Sequence, residues 1–319
     1  MTEDKGGPMQ KRKKSGQNLD VDPALYGMMK AGLVVNNDEF ARQVLQELSA
    51  FHLQEYGRPF YHMNQRRYEE GTTFEEVYQV YRADRFCKNF LFDFLAEIEV
   101  QLRMVLAQVH QEAYGNFGYL DVENFENVQY HASFLNDVHQ EAERGNEPFV
   151  SHAKRNHGDD FPIYIAVELL TFGGLSQLYR NFLPQEKERV AAFYGMEDGE
   201  ALYSYIHSLT FIRNTCAHHG RLSNRSFPDP CIILEEDRKR LEEDNPGFEV
   251  DSQTLFSNVV AMCHLLHWRK ARPLIEHFDK LFRSYPNFHP DWMGFPPVWK
   301  RTLLSINEDI DQDGQEEES

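Results

Sequence analysis

Six consecutive residues, Arg213-Asn214-Thr215-Cys216-Ala217-His218, bring together a guanidinium, a carboxamide and an imidazole. Asn214 and His218 lie four apart, so on a helix they share a face. Arg213 sits about 140° round from His218 on an ideal helix, and its long side chain can swing toward that face. An imidazole with an ordinary pKa near 6.5 both gives and takes protons around neutrality. A guanidinium meets phosphate oxygens through two parallel N–H donors. Together these groups meet the needs of RNA cleavage without metal, in which a 2′-OH loses its proton and attacks the adjacent phosphate while positive charge stabilises the crowded phosphorus. Spacing alone suits a structural role as well: paired histidines at a helix end often cap carbonyls, and arginines beyond a cap often face solvent.

A helix must position these groups. Glu200 to His219 reads as one, with Leu202, Ile206, Leu209, Ile212 and Cys216 along one face and Gly220 as the expected C-cap. His218 then falls in the last turn, where the negative end of the helix dipole favours imidazolium. The 28 residues from Ala201 to Pro228 hold no acid, against about 4.5 expected from 51 acids in 319 residues. The same window carries Arg213, Arg221, Arg225, His207, His218 and His219, an anion-seeking stretch inside a chain of net charge −18. Cys216, His218 and His219 are too close on one helix to converge on zinc, and no second ligand cluster accompanies them, so neither a metal nor another cofactor is expected. The four cysteines are scattered and read as reduced thiols.

The rest of the chain reads as all-α. Short helices are expected over 23–30 and over 38–48, the second capped by Asn36 or Asn37, followed by an irregular segment or short hairpin over 51–67. Thr72 with Glu75 gives a capping box for a long helix to Ala113, or two joined end to end, stopped by Gly115 and Gly118. A polar helix is expected over 132–144, a loop through Gly158, an apolar helix over 163–170 ended by Gly173-Gly174, and short helices over 175–182 and 185–194. A final long helix is expected over 252–283. On it His264 and His267 read as satisfied core histidines, and Arg269, Lys270 and Arg272 as a solvated basic run. Residues 1–20 are polar and basic, and 305–319 carry a run of seven acids; both are expected to be disordered flanks of a single 21–304 domain. No apolar run approaches the ~18–20 residues that span a bilayer, and the N-terminus lacks the apolar stretch of a secretory signal. A cytoplasmic protein without membrane contact is expected.

Several stretches, read in order, resemble the Abi-like abortive-infection proteins of bacteria, members of the HEPN superfamily. Phe211 to Arg225 looks like that family's R-N-x-C-A-H-x-x-R-L-x-N-R signature. Upstream, residues 71–77 with Tyr81 to Arg103 look like its long early helix, including Asp84-Arg85 and the I-E-x-x-L-R element Ile98 to Arg103. Phe161 to Gly173 and Met293-Gly294-Phe295-Pro296 with Trp299 resemble two further blocks. The resemblance implies a HEPN-type helical bundle with extra helices and a ribonuclease site. In that site His218 moves protons, Arg213 holds phosphate and Asn214 positions it. Arg221, Asn224 and Arg225 then serve RNA contact or dimer support. It also implies a homodimer in which two motifs meet, an anti-phage, toxin-like role, and an RNA or protein antitoxin as a restraining partner. A non-catalytic RNA-binding or regulatory protein is the alternative, and a helical interaction protein that senses phage through its N-terminal region is a third.

Overall fold

The computed structural model describes residues 20–306 except 146, 147, 159 and 267, and for residues 268–270 the backbone only. The expected terminal flanks, His267, and the basic side chains of Arg269 and Lys270 therefore lie outside the described residues, apart from the flank residues 20, 305 and 306. The architecture is all-α, with one two-residue hairpin among the described residues. Chain contacts resolve two compact units, divided between Tyr78 and Gln79.

The first unit holds α1 (Asp22–Lys30), α2 (Asp38–Glu47), α3 (Ala50–Tyr56), a hairpin of β1 (Tyr61–His62) and β2 (Arg67–Tyr68), and the start of α4 (Phe74–Tyr114). Asn37 caps α2 by accepting from the Phe40 amide. Within the stretch expected to be irregular, Ser49 caps α3 through the His52 amide, and the hairpin follows. The capping box of α4 is one residue later than its sequence reading. Thr73 Oγ1 accepts from the Glu76 amide while Glu76 accepts from the Thr73 amide. Glu75 instead accepts from the Asn37 amide at 3.0 Å.

α4 is a single 41-residue helix, stopped by Gly115 at φ +79°. Then come α5 (Val128–Arg144), α6 (Pro148–His157), α7 (Ile163–Ala166), α8 (Phe172–Arg180), α9 (Pro184–Phe193), α10 (Gly199–Ala217), α11 (Glu235–Asp244), α12 (Leu255–Leu265) and α13 (Trp268–Ser284). Several expectations need correction. The stretch expected as a loop before Gly158 contains α6. Gly173-Gly174 does not stop a helix; both glycines lie in the first turn of α8, where Thr171 accepts from the Gly174 amide. The preceding helical stretch ends instead at the extended Leu170. The long C-terminal helix is two, because Leu266 is extended (ψ 129°) between α12 and α13. The short, charge-rich α11 has no counterpart in the sequence reading.

α12 lies at the centre of the second unit, with ten of its eleven residues buried, as expected of a helix apolar all round. α10 packs on α8, α9 and α12, and α5 packs on α8. Phe90 and Phe94 of α4 meet His277 of α13, and Phe90 also meets Phe278. Phe278, Phe282, Phe295 and Trp299 form an aromatic cluster that anchors the C-terminal end. Gly294 (φ +79°) lies so close to Thr254 that a Cβ there would stand 2.4 Å from the threonine hydroxyl.

Candidate active site

The helix that carries the six residues buries Leu202, Ile206, Leu209, Ile212 and Cys216, the face read from the sequence. Its end differs from expectation. His218 is the C-cap, and the residue in the left-handed conformation is His219, at φ +58°, not Gly220. The amide of His219 bonds to the Cys216 carbonyl, and that of Gly220 to the Thr215 carbonyl at 2.8 Å, the two bonds of a Schellman motif. Gly220 is favoured by closeness instead: a Cβ would lie 3.0 Å from the Thr215 methyl, which would have to shift by a few tenths of an ångström. His219 therefore holds a conformation that costs a non-glycine residue about 1 kcal/mol, in the manner of functional segments held by their surroundings.

Those surroundings come from α4. The Asp84 carboxylate is fully buried and accepts from the Leu222 and Ser223 amides at 3.0 and 2.8 Å. Its other oxygen pairs with Lys88 Nζ at 3.0 Å, and Lys88 in turn donates to the His219 and Gly220 carbonyls. A buried ion pair is stable only when further hydrogen bonds satisfy both charges, and the backbone over 219–223 supplies them. Asn224, also at positive φ (+47°), donates its amide to the Trp292 carbonyl, so the C-terminal block holds the far end of the loop.

His218 and Asn214 are both exposed, and neither side chain has a hydrogen-bonding partner among the described residues. Arg213 is 29% exposed. Its Nε donates to Glu99 at 3.3 Å and its guanidinium stands over the Phe92 ring. The buried Glu99 also accepts from Arg103 at 2.6 Å, and Arg103 donates to the Val167 and Leu170 carbonyls. Glu99 thus serves two guanidiniums, and the half-exposed Glu168 carboxylate lies 3.7 Å from Arg103 as well, so the charges balance around Arg103 while Glu99 fixes Arg213 at the surface. The terminal nitrogens of Arg213 make no hydrogen bond among the described residues, which suits them to meet an anion.

The other three candidates sit differently. Arg221 donates to the Ser223 and Asn224 carbonyls at 2.7 and 2.8 Å and so braces its own loop. Arg225 donates to the Arg221 carbonyl and stands over the Phe211 and Phe227 rings. Asn224 is exposed beside them. The acid-free window is acid-free only along the chain, since α4 brings Asp84 and Glu99 beneath it. Burial, reinforced by Asp84, pushes the Cys216 thiol up to about 12, so it remains neutral and takes no part as a nucleophile.

Residues Lys88, Glu99 and Arg103 support the site without having been assigned a role from sequence. The signal was there in part: Asp84 with Lys88, and Glu99 with Arg103, are opposite charges four apart on a helix whose neighbouring positions are apolar.

The family model for Abi-like proteins matches residues 43–224. The chain belongs to the Abi-like protein family. The match includes Asp84, Lys88, Glu99 and Arg103 and runs through Arg213, Asn214, His218, Arg221 and Asn224, ending one residue before Arg225. In this Abi-like protein the matched region thus holds both the exposed groups and the buried α4 charges that support them. No curated protein and no solved structure matches the chain. No helix among the described residues is long and apolar enough to cross a membrane.

Proposed function

We infer that this Abi-like protein is a metal-independent endoribonuclease of the HEPN type, acting in abortive-infection defence against phage. The observation that carries the reading is an exposed His218 at the negative end of α10 and, five residues before it, a partly exposed Arg213 fixed by buried Glu99. In the reaction the 2′-oxygen of one nucleotide attacks the adjacent phosphorus and the bond from phosphorus to the 5′-oxygen breaks. His218 takes the proton from the 2′-OH or delivers one to the leaving 5′-oxygen. Arg213 stabilises the charge that grows on the non-bridging oxygens, and Asn214 orients the phosphate. The products are a 2′,3′-cyclic phosphate and a 5′-OH.

A single His218 supplies one proton-transfer group, whereas the reaction uses a base and an acid. A second copy of the same helix end, brought in by a homodimer, supplies the other. An exposed apolar stripe on α4 suits such a contact: Phe92 (41% exposed), Val100 (65%) and Met104 (45%), with Phe92 directly beneath Arg213. Exposed apolar stripes of this kind mark association surfaces.

The test is incubation of the purified protein with RNA in EDTA. Expected are 2′,3′-cyclic phosphate ends, with cleavage lost by at least a hundredfold in His218→Ala and Arg213→Ala, in line with the ~10²–10⁴-fold contribution of general acid–base catalysis. RNA bound but uncut by the wild type would favour a non-catalytic RNA-binding protein. Activity that survived both substitutions would place the chemistry elsewhere.

A further inference from the structure

Away from Arg213 and His218, one surface combines a cation with aromatic rings in a continuous ladder. Arg180, the last residue of α8, stands over the Tyr130 ring of α5 at 5.2 Å and over the Tyr203 ring of α10 at 5.5 Å. Tyr203 stacks in turn on His207, with centroids 5.4 Å apart and planes within 19°. At the ladder's two ends Tyr130 is 37% exposed and the His207 side chain 38%. Arg180 is itself exposed, and no carboxylate pairs with it among the described residues.

These helices do not need the ladder to hold together. α8 already buries Phe172, Leu175, Leu178 and Tyr179, so an exposed guanidinium between tyrosines adds little to that packing. The Asp229 carboxylate lies 3.6 Å from His207 Nε2. A partner at that ring atom meets the ring's edge, which fixes its plane and leaves a face available. Tyr203, His207, Asn214 and His218 also lie within about 60° of one another around α10, on the side opposite its buried face. The ladder therefore shares one side of α10 with Asn214 and His218.

We propose that the ladder of Tyr130, Arg180, Tyr203 and His207 is a stacking platform for unpaired nucleobases of single-stranded RNA. The outer faces of Tyr130 and His207, with a cation between them that no carboxylate among the described residues neutralises, bind bases of a single strand without demanding sequence, because every base has a π face and the backbone supplies negative charge. Duplex RNA hides those faces and is excluded. From His207 to His218 the helix rises about 16 Å, a span of roughly five nucleotides at the 3.4 Å stacked rise per strand and fewer when the strand is extended. A base held on His207 thus places a phosphate a few nucleotides along the same strand at His218. The substrate class rests on the ribonuclease reading only at that phosphate; the stacking itself does not.

The test is binding of 2′-O-methyl oligo(A) of about twelve nucleotides, within the ~4–16 nucleotide range of single-strand sites. The methylated strand cannot be cleaved, so binding is read apart from catalysis. Each stacked base contributes ~1–3 kcal/mol, so His207→Ala and Arg180→Ala are each expected to weaken binding roughly tenfold. His207→Phe, which keeps a stacking ring, should bind within about twofold of wild type, since base stacking depends on the ring face. Weak binding of duplex RNA should be the same in all four proteins.

Wild-type affinity in both alanine variants would overturn the platform, as would equal losses in His207→Phe and His207→Ala or equal losses on duplex. Failure of the wild type to bind the single strand would overturn it too. If unmodified RNA is left uncut while the ladder variants lose oligo(A) binding, the nuclease reading fails and the platform stands. The reverse pattern, cleavage dependent on His218 with unaltered binding in the ladder variants, removes the platform alone.

Discussion

At the scale of the residue, the site depends as much on buried charges that never meet a ligand as on the exposed groups. Asp84 holds two loop amides and Lys88 at once, so the pair acts as a clamp on the segment just after His218. Removing one partner of a buried pair leaves the other charge poorly compensated and costs about 3–5 kcal/mol, while replacing both with apolar groups costs far less. Asp84→Ala is therefore expected to shift the urea midpoint strongly downward, and Asp84→Ala with Lys88→Met to recover much of the loss. A double variant as unstable as the single one would mean that the loop amides, not the ion pair, carry the effect. Both charges were visible in the sequence at helical spacing. Their backbone partners were not, because the amides that Asp84 accepts from and the carbonyls that Lys88 donates to lie more than 130 residues away.

At the scale of the element, the end of α10 is where local rules were overridden. Gly220 is the natural left-handed cap, yet His219 takes that conformation and Gly220 is reserved for close approach to Thr215. Glycine is the residue most at ease at that position of a Schellman motif, so His219→Gly is expected to raise stability by about 1 kcal/mol, read as a higher urea midpoint. A lower midpoint would show that the His219 side chain stabilises the fold. Elsewhere, α4, α5, α8 and α10 were legible from residue pattern, while their ends were not: the box of α4 falls one residue later and the glycines read as a stop lie in the first turn of α8. α6 and the break at Leu266 were not legible: the first is a short polar helix, and the second has no glycine or proline to mark it.

At the scale of the whole molecule, two outcomes follow from burial and from exposure. Burial pushes the Cys216 and Cys231 thiols and the Tyr68 and Tyr119 hydroxyls up to about 12, from ordinary values of 9.0 and 10.0. Because the folded-state values are raised, the unfolded chain ionises first as pH rises. The stability these groups contribute is fully present at neutral pH and is lost progressively between about pH 9 and 12. A melting temperature that stays level from pH 7 to 11 would contradict that burial. For assembly, the exposed stripe on α4 leads to an expectation about the composite site. The wild type should sediment as a dimer, and Val100→Glu with Met104→Glu as a monomer that has lost RNA cleavage. A monomeric wild type that still cuts RNA would rule out a site completed by a second copy.

The helical class, the apolar face of α10, and the order of Arg213, Asn214 and His218 along it were legible from the residues alone, since these depend on period and on residue type within a few turns. The sequence also carried the family, whose model matches residues 43–224. Which of the candidates are exposed and which are occupied depends instead on how the helices pack. Arg221 and Arg225 look as available as Arg213 in a linear reading, yet carbonyls and aromatic rings of the fold engage both. The acid-free window around His218 likewise proved to be a property of the chain and not of the space around it, because α4 passes beneath and contributes Asp84 and Glu99. Charge acts through distance in three dimensions, and a one-dimensional window does not contain the residues that long-range packing brings to within 3.3 Å.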